Sequence, residues 1–141
     1  MRNTKLFTIV LLFVITITAS NCSADHNILP TTEESLTRNG WGVDYYFQQQ
    51  DMTSEFEEYR ITFRSNGTVN CRKETEMISG TWNKAVNAGQ SEIISINIST
   101  SNPSINKLNG SWKLVNQSSN SMNFENFHPS LTSVLRIRVK P

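Results

Sequence analysis

The stretch "EYRITFRSNGTVNCRK" at residues 58–73 decides the fold. Tyr59, Ile61 and Phe63 alternate with Arg60, Thr62 and Arg64, and beyond the turn Val69 and Cys71 share a face. A period of two puts apolar side chains on one surface and polar ones on the other, which is a strand with one buried side. Asn66-Gly67 between the two runs accepts the positive φ angles of a two-residue hairpin loop. The segment is therefore an antiparallel hairpin, with Cys71 facing the core as a small buried hydrophobe.

The same pattern extends both ways. "WGVDYYF" reads as Trp41, Val43, Tyr45 and Phe47 on one face with Gly42, Asp44 and Tyr46 opposite. Downstream follow "MISGTWN", "EIISINIS", "GSWKLVNQ", "SMNFENF" and "SVLRIRVK", eight runs in all. "DMTSEFEEY" offers one short helical turn with Asp51 as its cap, the only helical candidate in the domain. Eight closely spaced strands with tight connections form an antiparallel up-and-down sheet, which removes its edges most simply by closing. The expected fold is all-β, a small eight-stranded barrel with at most one short helix. The longer connection "TSNPSINKLNG" at 100–110 is expected to lie over one mouth.

Residues 1–21 have Arg2 and Lys5, an apolar run from Leu6 to Ile17, then small polar residues. That order is a secretory signal, too short for a spanning helix. Removing 21 of 141 residues leaves 120, one domain with a modest core. It also leaves eleven basic against twelve acidic residues, a net charge of −1 that gives no footing for nucleic acid.

The two cysteines, Cys22 and Cys71, allow one disulfide in an exported chain. The rival reading comes from "ITASNC" at 17–22, which resembles a bacterial lipoprotein signal with Cys22 at the cleavage point. Ala19 and Asn21 depart from its usual letters but are small. The polar stretch 22–38 reads as a flexible tether to a domain at 39–141, an arrangement that favours the lipid at Cys22 over a disulfide pinning the tether. The resemblance implies a diacylglyceryl thioether on Cys22, usually with an N-acyl chain such as palmitate, anchoring the protein in the cell envelope. With Ser23 next, it implies the outer membrane.

Glycine precedes tryptophan in "NGW" (39–41), "GTW" (80–82) and "GSW" (110–112), which reads as turns leading into strands whose tryptophans pack in the core. With "DMTSEFEEYRITFRSNGTV", "EIISINI" and "LNGSWKLV", these motifs resemble the lipocalin-like lipoproteins of Bacteroidetes across most of 39–140. The resemblance implies a small barrel behind a lipid anchor and no particular activity. The Gly-x-Trp of true lipocalins stands on the first strand, where position 39 is Asn, and their Thr-Asp-Tyr motif is missing.

Chemistry-bearing clusters are sparse. His26, His128 and Cys71 have no metal-ligand spacing, no cofactor motif occurs, and a Cys71–His128 nucleophile pair conflicts with the burial expected of Cys71. "EFEEY" reads as a solvated acidic face, and the sequons at Asn66 and Asn97 as accidents of composition. The chain is therefore expected not to be an enzyme. Two readings remain. In one, Tyr45, Phe47, Tyr59, Phe63, Trp82 and Trp112 point inward and line a cavity for a small apolar ligand. In the other, the same residues fill the barrel, which serves as a structural or interaction module for another envelope protein. Arg136, Arg138 and Lys140, alternating on the last strand, could face that partner.

Overall fold

A computed structural model describes residues 30–127 and 133–141. The signal at 1–21, Cys22, the tether up to residue 29 and His128 lie outside the described residues. The strands run β1 (Gly40–Gln48), β2 (Gln50–Asp51), β3 (Arg60–Phe63), β4 (Thr68–Lys73), β5 (Glu76–Val86), β6 (Glu92–Asn97), β7 (Gly110–Gln117), β8 (Ser121–Asn126) and β9 (Ser133–Val139). Neighbours from β3 to β9 pair in sequence order, β1 pairs with β3, and a β1–β9 pairing closes the sheet. All pairings are antiparallel, so the fold is a closed eight-stranded up-and-down barrel, with β2 a two-residue spur on the end of β1.

The central hairpin forms with a different turn. The Arg64 carbonyl accepts from Gly67 N at 3.0 Å, Arg64 N donates to the Thr68 carbonyl at 2.8 Å, and only Gly67 has positive φ, at 81°. The loop is thus three residues with glycine in the left-handed position, not the expected two-residue turn. Asn66 contributes through its side chain, whose Oδ1 accepts from Thr68 N at 3.1 Å.

A larger correction concerns β1. Its pairing with β9 shifts register between Val43, opposite Ile137, and Tyr45, opposite Arg136. Asp44 is the extra residue of a β-bulge, and an extra residue inverts the alternation beyond it. Trp41, Val43 and Tyr46 therefore face inward and are buried, while Tyr45 and Phe47 stand outside. A second shift, between Leu114 and Asn116 on β7, makes Val115 an extra residue there. No other pairing among the described residues is interrupted.

The second correction concerns the tether. Thr32–Arg38, expected to be its last part, is a helix, α1. Thr31 and Glu34 form a reciprocal capping box at its start. Leu36 is fully buried in the core cluster, and its carbonyl accepts the Trp41 indole N–H at 3.0 Å. Gln117 Nε2 donates to the Pro30 carbonyl at 2.8 Å and to Ser35 Oγ at 3.0 Å, while the Thr32 hydroxyl meets Glu92, itself paired with Lys84 at 3.2 Å. The helix closes the end of the barrel where β1 begins.

The opposite end is closed from the long connections, as expected of residues 100–110. Thr53–Phe56 forms a 3₁₀ turn where the helical turn was expected, and Pro103–Asn106 forms a single turn, α2. Phe56, Ile105 and Leu108 are buried. Glu55 joins the two turns by accepting from Ser104 Oγ at 2.9 Å and pairing with Lys107.

Candidate functional site

Of the six residues expected to line a cavity, Tyr59, Phe63, Trp82 and Trp112 are inside and buried. Phe63 and Trp82 meet edge to face at 5.4 Å, and Tyr46, which the parity of the sequence placed outside, meets Trp112 at 6.2 Å. Phe63 and Trp112, with Ile61, Ile94, Phe124 and Ile137, border a residual cavity of about 10 Å³. That is room for about one water, so the interior is a packed core.

Each tryptophan also has a polar task. Trp41 donates to the carbonyl of Leu36 in α1, Trp82 to that of Arg64 in the hairpin at 2.9 Å, and Trp112 to that of Leu108 after α2 at 2.8 Å. The apolar ring fills the core while the N–H satisfies a carbonyl in the turn or helix that closes the wall. Gly80 lies inside β5 rather than ending a turn as expected, and the glycine there has a local cause, since a Cβ would stand 2.5 Å from the Asn97 carbonyl oxygen. The glycine–tryptophan repeat is thus architectural.

Cys71 is a free, fully buried thiol that burial pushes up to about 12. A thiol so held is neutral at ordinary pH and cannot serve as a nucleophile in this conformation. Among the described residues no three His, Cys, Asp or Glu side chains are grouped to hold a metal.

Polar and apolar groups converge instead on the outer wall formed by β7, β8, β9 and β1. Asp44, the extra residue of the first bulge, accepts at Oδ2 from Arg138 Nη2 at 3.3 Å and forms an ion pair with Arg136, whose Nε lies 2.8 Å away without hydrogen-bond geometry. Arg136 in turn lies over the Tyr45 ring at 5.5 Å, and Tyr45 stacks on Phe47 with centroids 6.5 Å apart and planes 12° apart. Val115, the extra residue of the second bulge, is 54% exposed. Together with Asn123, Phe124, Glu125, Val134 and Arg136 it lines a depression of about 170 Å³. Two arginines share one carboxylate, so this cluster keeps one unit of positive charge. Both bulges thus add a residue to this wall, one supplying its carboxylate and the other an apolar rim.

Arg136 and Arg138 fall where strand alternation had placed them. Tyr45 and Phe47 were missed as surface groups because the extra residue leaves no mark on a period-two pattern, whereas Asp44 had been read on the polar face. "WGVDYYF" has aromatic residues at both parities and scans equally well with or without a bulge.

No family model matches the chain, and no curated protein matches it. A crystal structure of a DUF4847 family protein from Bacteroides vulgatus ATCC 8482 is similar in fold, with a TM-score of 0.56 and 14% identity over 77% of this chain and 96% of that one. The chain therefore shares its barrel with a Bacteroides protein, and at this identity the likeness concerns the fold.

Proposed function

We propose that this chain is a lipid-anchored cell-envelope protein that acts through the outer wall of a packed, lipocalin-like barrel rather than through a ligand held inside it. The observation that carries the reading is the contrast between a core of buried side chains around a cavity of about 10 Å³ and an outer wall whose two bulges present Asp44 and Val115. Bulges sit where a strand must re-aim side chains. The partner that suits this wall is another envelope protein offering a carboxylate to Arg136 and Arg138 beside an apolar side chain for the depression at Val115 and Val134. The anchor rests on the resemblance of "ITASNC" to a lipoprotein signal, and the Bacteroides origin of the structural neighbour is in keeping with the resemblance to Bacteroidetes lipoproteins.

Mass spectrometry of the protein from its native membrane tests both halves. A diacylglyceryl group on Cys22 and an intact protein mass free of any retained small molecule are the expected results. Cys22 disulfide-linked to Cys71 would sink the anchor, and a stoichiometric apolar ligand would return the function to the interior.

A further inference from the structure

The two ends of the barrel differ in charge, and the chain leaves from only one of them. Among the described residues, the connections at the end opposite α1, 49–59, 74–75 and 98–109, hold five acids, Asp51, Glu55, Glu57, Glu58 and Glu74, against Lys107, with Lys73 at the end of β4 pairing with Glu58. Those at the α1 end, 64–67, 87–91 and 118–120, contain Arg64 and no acid. With α1 and the residue after β9 included, that end holds three bases, Arg38, Arg64 and Lys140, against Glu33 and Glu34. Its connections are otherwise uncharged, mainly asparagine, serine and glycine.

Pro30 enters α1 at this less acidic end, where its carbonyl is fixed by Gln117. Residues 23–29 separate it from Cys22, and eight residue steps reach at most about 29 Å even when fully extended. A lipid on Cys22 therefore keeps this end of the barrel close to the bilayer. An anionic lipid surface repels the acidic end over about a Debye length, roughly 8 Å at physiological salt. Chain geometry and charge favour the same orientation.

We infer that the barrel stands on an anionic membrane with its α1 end toward the lipid and its acidic end outward, leaving the bulged wall upright and open to a partner. This rests on the lipid anchor proposed above. In that posture the connections 64–67, 87–91 and 118–120 touch headgroups, while 49–59, 74–75 and 98–109 face away.

The test uses full-length protein expressed in and extracted from its native membrane, then reconstituted in phosphatidylethanolamine–phosphatidylglycerol vesicles that contain a headgroup-photoreactive phosphatidylglycerol. Lipid adducts are mapped by peptide mass spectrometry, and the N-terminal peptide is read in the same sample. Adducts several-fold more abundant at 64–67, 87–91 and 118–120 than at the acidic connections are expected. The double variant Asp51→Lys with Glu74→Lys should shift adducts toward the far end. An acylated Cys22 with adducts evenly spread, or concentrated at the acidic end, overturns the orientation alone. An unacylated Cys22 overturns the anchor and the orientation with it.

Discussion

The barrel has two outer walls built from similar strands, and they differ in regularity. Across β3 to β6 the ladder is unbroken, and apart from Arg60 opposite Arg72 and Arg72 opposite Met77 its outward rungs are mostly small and polar. Thr62 faces Asn70, Asn70 faces Ser79 with a 2.8 Å bond from Ser79 Oγ, and Thr81 faces Asn97, while Met77 and, at the end of β5, Val86 are its large exposed apolar side chains. Across β7, β8, β9 and β1 the ladder is interrupted twice, and the outward rungs hold Tyr45, Phe47, Val115, Val134 and the Asp44–arginine cluster. A regular wall hydrogen-bonds within itself and offers water little else. An interrupted one carries groups that the pleat alone would not place there.

The walls share one core, so inward substitutions should be costly on either side. Trp112→Ala on β7 and Phe63→Ala on β3 are each expected to lose about 3–5 kcal/mol in urea unfolding. A mild loss at Trp112 would mean a looser interior than the packing describes and would weaken the contrast. Leu36→Ala in α1 should cost about 2–5 kcal/mol, because that side chain is fully buried.

Each wall also buries a weak acid whose ionisation burial opposes, which separates them by pH. Cys71, on the regular wall, is raised from 9.0 to about 12 by burial, and Tyr46, on the interrupted one, from 10.0 to about 12 by burial and then by the charge of Glu55. Fold and unfolded chain bind the same proton below pH 9. Above it the unfolded thiol ionises first, so stability should fall from about pH 9 toward 12. Cys71→Ala should delay the onset of that fall to about pH 10, where Tyr46 begins. On the acid side Glu55 is held low by Lys107 and then Ser104, so its contribution is present above the ordinary carboxylate value and is lost on acidification through its lowered pKa.

The smallest expected effects on stability are the most informative about the walls. Deleting Val115 leaves Leu114 opposite Phe124, Asn116 opposite Asn123 and Gln117 opposite Met122, an unbroken ladder. Deleting Asp44 similarly joins Val43 opposite Ile137 to Tyr45 opposite Arg136. Each deletion is expected to keep the fold with a change within about 1 kcal/mol by thermal unfolding, since it restores regular pairing. Ser79→Ala on the regular wall should lose about 1 kcal/mol or less, the net worth of one hydrogen bond.

Much of the barrel was legible because alternation reports burial directly. The strand of Leu135 and Ile137 between Arg136 and Arg138 needed nothing more than period two. The bulges were not legible, because an inserted residue is defined by its partner strand and two adjacent tyrosines hide the change of parity. The capping box Thr31-Thr32-Glu33-Glu34 was written in the sequence, yet a seven-residue helix with one large buried apolar side chain shows no sustained period. The site followed the same rule. Arg136, Arg138 and Asp44 could all be read on polar faces, whereas the outward placement of Tyr45 and Phe47 beside them depends on the irregularity.

The central claim, that the interrupted wall is the working surface, is tested most directly by photo-crosslinking in the native host from a photoreactive residue placed at Phe47 or, for comparison, at Ser79. The account predicts a discrete protein adduct from position 47 that disappears when Asp44 is deleted or Arg136 is replaced by alanine, and none from position 79. Equal adducts from both positions, or an adduct at 47 indifferent to Asp44 and Arg136, would contradict it.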